Sequence, residues 1–146
     1  MTQSILDLYL KEDETVEDLR VRKHRELFVD GYTIGKNPSK FGGGYCIMEN
    51  DVILEEVEVK RMNFTNNEAE LLGMTRALEL ADEGTVIYTD SQNTIAWVRS
   101  GRPKSRMDLL YMADRAKKMR RDKSVNIVWV PREENLAGIY LENKGL

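Results

Sequence analysis

The chain has 146 residues, of which 41% are hydrophobic and 32% charged, with a net charge of −3; this balance fits one soluble globular domain with a core of its own and excludes a disordered chain. No apolar run approaches the roughly 20 residues that span a bilayer, and the polar N-terminus lacks a signal-peptide core, so a cytoplasmic setting is expected. A single cysteine, Cys46, and a single histidine, His24, exclude an internal disulfide and any site built from several cysteines or histidines. Catalysis, if the chain performs any, falls to carboxylates.

Residues 1–25 read as an N-terminal extension, with "SILDLYL" suited to a short amphipathic helix and "TVEDLRVRKHRE" leading toward the first strand. A packing extension, a mobile tail and a partner-binding segment all fit it. From Glu26 the pattern sharpens into a second unit, residues 26–146. "ELFVDGY" is an apolar push that predicts a buried strand ending at Asp30, and "GKNPSKFGGG" is a loop by its Gly, Pro, Asn and Ser content. "GYCIMEN" and "DVILEEVEVKRM" predict two strands joined by a tight turn at Glu49, Asn50 and Asp51. The period then changes. "NNEAELLGMTRALELADEG" places Leu71, Met74, Leu78 and Ala81 at helical spacing, with Asn66 or Asn67 as cap and Gly84 as stop.

"TVIYTD" predicts a short buried strand, and "SQNTIAWVRSG" a short helix between a capping Ser91 and Gly101. "SRMDLLYMADRAKKMRR" reads as a further helix, burying Leu109, Met112, Ala113, Ala116 and Met119. "SVNIVWV" is a last strand stopped by Pro131, and "EENLAGIYLEN" a C-terminal helix. Trp97 and Trp129 are expected in the core. The order β-β-β-α-β-α-α-β-α predicts an α/β chain with one mixed sheet and helices packed on it.

Charge is unevenly spread. Residues 7–18 hold six acids against Lys11, whereas residues 99–123 hold ten Lys and Arg against Asp108, Asp114 and Asp122. Local patches of this kind steer polyanions more than net charge does; a solvated helix face is the plainer account of the basic one.

Three acids occupy places that can converge: Asp30 and Asp90 at strand ends, and Glu70 in the first turns of the helix after Asn67. In adjacent parallel strands the two ends lie roughly 5 Å apart, and open α/β sheets carry their sites at such ends. Clustered carboxylates repel one another unless a cation joins them, and hard oxygen ligands without Cys or His select Mg²⁺ or Mn²⁺. Taken singly, each acid also fits a cap, a turn former or a charge opposite a helix N-terminus.

"FVDG", "TNNEAELLG", "YTDSQ" and "VWVPREEN…AG" follow one another in an order and at separations that resemble the type 1 ribonuclease H family, over about Glu26 to Asn143. The resemblance implies a ribonuclease H-like five-stranded mixed sheet in order 3-2-1-4-5. It implies an endoribonuclease that hydrolyses the RNA strand of an RNA–DNA hybrid by two-metal-ion catalysis, leaving a 5′-phosphate and a 3′-hydroxyl. Asp30, Glu70 and Asp90 would be the catalytic residues and the ligands of two Mg²⁺ or Mn²⁺ ions, with Asp30 bridging. Thr65, Asn66, Asn67 and Gln92 match the substrate-binding positions, although the asparagines also fit helix capping. The basic stretch 104–121 resembles the family's basic handle, which grips the DNA strand. A monomer is expected.

Two departures from the family pattern stand out. The fourth acid, three or four residues after an asparagine such as Asn135, is replaced by Gly138 and Ile139. Glu142, one helical turn beyond Gly138, is the candidate substitute metal ligand. The loop before the last helix, "VPREEN", also lacks the histidine of many bacterial members, leaving Glu133 or Glu134 as stand-ins. Weak or lost activity therefore stands as an alternative, a module that binds hybrid or double-stranded RNA. A nuclease of the same fold with a different substrate is the other.

Overall fold

A computed structural model describes residues 25–146, so the expectations for the extension lie outside the described residues except at Arg25. Three strands, β1 (Glu26–Thr33), β2 (Gly43–Glu49) and β3 (Val52–Val59), form an antiparallel meander. Asn50 adopts φ 54° in the turn between β2 and β3, a conformation Asn tolerates better than most residues. Two short parallel strands, β4 (Val86–Thr89) and β5 (Asn126–Trp129), extend the sheet on the other side of β1. The spatial order is 3-2-1-4-5, as the family resemblance implied. Four α-helices are described: α1 (Asn66–Leu80), α2 (Gln92–Ser100), α3 (Leu110–Asp122) and α4 (Leu136–Asn143).

Strand alternation divides the core in two. Leu27, Val29, Ile47 and Ile87 face one side, packed with Leu71, Met74 and Leu78 of α1, Trp97 and Val98 of α2, and Ala113 and Ala116 of α3. Phe28, Tyr32, Cys46 and Met48 face the other, where Ala137 and Leu141 of α4 cover them. Asp30 shares the parity of Phe28 and Tyr32, so it points to the α4 side between these two apolar groups.

Several local expectations need correction. β1 does not stop at Asp30; it runs on to Thr33 because β2 continues to pair with it, Asp30 opposite Cys46. What does end there is the parallel ladder to β4, whose last register pair is Phe28 with Tyr88. The cap of α1 is Thr65, whose hydroxyl accepts from the Glu68 amide, rather than either asparagine. The same helix ends at Leu80, four residues before Gly84. Its open carbonyls find distant donors: Lys123 Nζ reaches Leu78, Glu79 and Ala81 at 2.8, 3.0 and 2.9 Å, and Arg25 reaches Leu80 at 2.9 Å. The helix expected from Ser105 to Arg121 begins as a 3₁₀ turn, Met107–Leu109, before α3. Trp97 is buried as expected, but Trp129 is 46% exposed. It ends an edge strand, and α2 covers that strand only in part.

Candidate active site

β1 and β4 deliver two of the three acids. Asp30 lies two residues beyond the last β1–β4 register pair, and Asp90 directly follows Thr89, the last residue of β4. Both carboxylates therefore emerge where the parallel ladder closes, the usual position of sites in open α/β sheets. Glu70 comes from the second turn of α1, and Gly31 admits that helix to the strand. A Cβ on Gly31 would lie 2.6 Å from both the Ala69 carbonyl carbon and the Glu70 nitrogen. With any larger residue α1 would stand off, and Glu70 with it.

The three acids converge. One carboxylate oxygen from each of Asp30, Glu70 and Asp90 lies within 4.8 Å of the others. Asp30 is 1% and Glu70 5% exposed, with Asp90 half-buried. Both oxygens of Asp30, Oε2 of Glu70 and Oδ2 of Asp90 are buried without a hydrogen-bond partner. Unpartnered buried polar atoms are rare in folded proteins and need an explanation. Among the described residues, none of the three carboxylates forms an ion pair.

The electrostatics follow from that crowding. Burial, reinforced by the charge of Asp90, pushes Asp30 up to about 6, against the opposing pull of the neighbouring Glu70 carboxyl and then of Arg132. Glu70 is pushed well above the usual carboxylate range by burial and then by the charge of Asp30. Burial also raises Asp90, while Arg132 and the amide of Asn135 work the other way. Three acids that resist ionisation when alone are what a divalent cation reverses. Hard, buried, unpartnered oxygens fit such an ion, and the donor set contains no softer atom.

The far wall of the cluster is α4. Asn135, fully buried, caps this helix through the Ala137 amide and donates its Nδ2 to the Val29 carbonyl at 2.9 Å, tying α4 to β1 beside Asp30. Gly138, one turn on, faces the acids; a Cβ placed there would come within 3.3 Å of Asp30 Oδ2. Ile139, four residues after Asn135 and on the same helical face, is half-buried. Glu142 does not join the cluster: it is exposed, and four further residues carry it about 6 Å along the helix axis from Gly138.

The other expected residues lie on the surface around the acids. Asn66 and Gln92 are exposed, and Thr65 and Asn67 partly so. The segment before α1 is held by contacts that local spacing does not reveal. The Asn66 amide donates to Asn37 Oδ1 at 3.0 Å, and Arg106 donates to the Thr65 hydroxyl at 2.6 Å and to Glu68 Oε1 at 3.2 Å. Arg61 also pairs with Glu68. The only local signals for these partners are an Asn before Pro38 in a loop and an Arg in a basic run.

Comparison with known proteins places the fold that carries these residues. The family model for RNase H matches residues 22–138. No curated protein matches the chain. Among solved structures it is similar to the N-terminal RNase H domain of rv2228c from Mycobacterium tuberculosis, at 25% identity and TM-score 0.61, with 81% of this chain and 95% of that one covered. It is likewise similar to RNase H1 of the halophilic archaeon Halobacterium salinarum NRC-1, at 24% identity and TM-score 0.59, covering 82% and 98%. LC11-RNase H1, solved in complex with an RNA/DNA hybrid, shares the fold at 23% identity and TM-score 0.55, covering 75% and 87%.

Proposed function

The chain belongs to the RNase H family, and from that premise we propose that it is a metal-dependent endoribonuclease hydrolysing the RNA strand of RNA–DNA hybrids. One observation carries this reading: four carboxylate oxygens of Asp30, Glu70 and Asp90 are buried together without protein partners. The hybrid bound to the structural neighbour LC11-RNase H1 supports the substrate class. Asp30, Glu70 and Asp90 would hold Mg²⁺ or Mn²⁺, which supplies Lewis-acid polarisation of a phosphoryl oxygen and a water acidic enough to attack near neutral pH.

The protein's own part is positioning. Asp30 is fixed by paired β1 backbone, Asp90 by the end of β4, and Glu70 by α1 pressed onto Gly31, so the three ligands come from rigid elements. Burial raises the electrostatic strength of whatever charge they meet. Thr65, Asn66, Asn67 and Gln92 flank the acids and would contact the hybrid, whose wide minor groove exposes 2′-hydroxyls and base edges to short amide side chains. The basic residues of α3 would approach the phosphates of the DNA strand.

A second reading, hybrid binding with little or no cleavage, is favoured by the wall of α4. Gly138 and Ile139 present no carboxylate where it faces Asp30, and Glu142 stands apart. A cleavage assay on an end-labelled hybrid, with duplex RNA and duplex DNA as controls, in Mg²⁺ and in Mn²⁺, separates the two. Cleavage of the RNA strand of the hybrid alone is the expected result. Retention of the intact hybrid in both metals would leave the binding module.

A further inference from the structure

Trp129 has a setting that the acid cluster does not account for. It is 46% exposed at the end of the edge strand β5, and its Nε1–H donates to the backbone carbonyl of Asp90 at 3.2 Å. The indole is thereby pinned beside one of the three acids with much of its surface open. Opposite it, α2 presents Gln92, Ala96 and Arg99 at helical spacing, all exposed. With Ile95 these residues and the indole line a shallow cleft of about 320 Å³. Its chemistry runs in order away from the acids: the Gln92 amide two residues after Asp90, a small Ala96 that leaves the middle open, and the Arg99 guanidinium beyond it. The lining holds one cation and no carboxylate.

We propose that this cleft is a subsite for a single unpaired nucleotide of the RNA strand, its base stacked on Trp129 and its phosphate met by Arg99. This rests on the nuclease reading above and narrows its substrate to hybrids that adjoin a single-stranded RNA stretch. The occupant follows from the lining. An aromatic face beside an arginine is how proteins hold single-stranded nucleic acid without reading its sequence. A base inside a duplex has both faces covered by its neighbours, so only an unpaired base can use the indole. The hydrogen bond from Trp129 to the Asp90 carbonyl, and Gln92 two residues after Asp90, set the cleft beside the end of β4 that carries one of the acids.

Intrinsic fluorescence tests this without catalysis, because Trp97 is buried and Trp129 is the exposed emitter. In EDTA, the protein is titrated with a blunt RNA–DNA hybrid and with the same hybrid extended by a few unpaired ribonucleotides, one series per RNA end. The extended hybrid on one end should quench the emission and bind about tenfold more tightly than the blunt one, the scale of one base stack. Trp129→Leu should bring the affinity ratio close to one, Trp129→Tyr should restore most of it, and Arg99→Gln should lower it while weakening its dependence on salt. Equal affinity of the wild type for blunt and extended hybrids, or an unchanged ratio in Trp129→Leu, would overturn the proposal. Cleavage of the blunt hybrid by the wild type in Mn²⁺ reads the nuclease assignment on its own.

Discussion

Glu68 and Glu70 stand two residues apart on α1 and are 1% and 5% exposed, yet they meet burial in opposite ways. Two residues along a helix turn a side chain through about 200°. Glu68 therefore looks toward Arg61 and Arg106, which pair with its two oxygens. Glu70 looks into the sheet and meets two further acids. The first arrangement is complete within the protein: a buried charge with opposite charges and hydrogen bonds around it, tying the loop before α3 to the start of α1. The second leaves oxygens unpartnered and the acids reluctant to ionise. Burial alone does not mark a functional acid. The mark is burial that the protein itself leaves uncompensated.

That contrast can be broken most sharply by removing one charge from each. Glu70→Gln should lower cleavage of hybrid by on the order of a thousandfold or more, the scale of losing one member of a group that acts as a unit, while leaving the metal-free fold at least as stable. Glu68→Gln should retain cleavage within about tenfold but lose about 1–3 kcal/mol of stability, the usual range for a lost charged hydrogen bond at a buried site. Rates and urea unfolding curves measured on both variants check the crossing pattern, and parallel effects on the two variants would erase the distinction.

A smaller effect is expected from pH. The folded-state pKa of Asp30, about 6, lies above the ordinary 3.8, so its protonated form favours folding. That contribution is fully present below about pH 4 and is lost as pH rises through 6. In metal-free protein, Asp30→Asn should match the wild type near pH 4 and become the more stable of the two by pH 8, by roughly 3 kcal/mol at most for a shift of this size. Adding Mn²⁺ at pH 8 should raise the melting temperature of the wild type and not of the variant, by mass action on the folded state. Thermal melts across that range, with and without metal, check both statements.

The smallest expected gain comes from the α4 wall. Ile139 follows Gly138, which faces Asp30, so a carboxylate that reaches the cluster from Ile139→Asp should tighten Mn²⁺ binding by about tenfold, the lower part of the range for changes around a metal site. Calorimetric titration of the variant reads this. An unchanged affinity would mean that residue 139 does not face the cluster.

Much of this molecule is legible in its sequence. Apolar runs, alternation and helical spacing between turn signals mark the five strands and four α-helices described after Glu26, and the order of elements implies one mixed sheet. Asp30, Glu70 and Asp90 are visible as acids at the ends of apolar runs or in the first turns of a helix, and the family resemblance joins them. The features that escape are set by partners far along the chain. α1 ends before its glycine because Lys123 and Arg25 supply donors from more than 40 residues away. Thr65 takes the cap, and Arg106 holds its hydroxyl from 41 residues away. The exposure of Trp129 depends on how far α2 reaches over an edge strand, which no local pattern encodes.

The central claim is that the uncompensated acids are the catalytic centre for an RNA–DNA hybrid. Single-turnover cleavage of a labelled hybrid by Asp30→Asn in saturating Mn²⁺, beside the wild type, tests it most directly. Loss of RNA-strand cleavage by on the order of a thousandfold, with a melting temperature no lower than that of the metal-free wild type, is the predicted result. A variant that cleaves within tenfold of the wild type would contradict it.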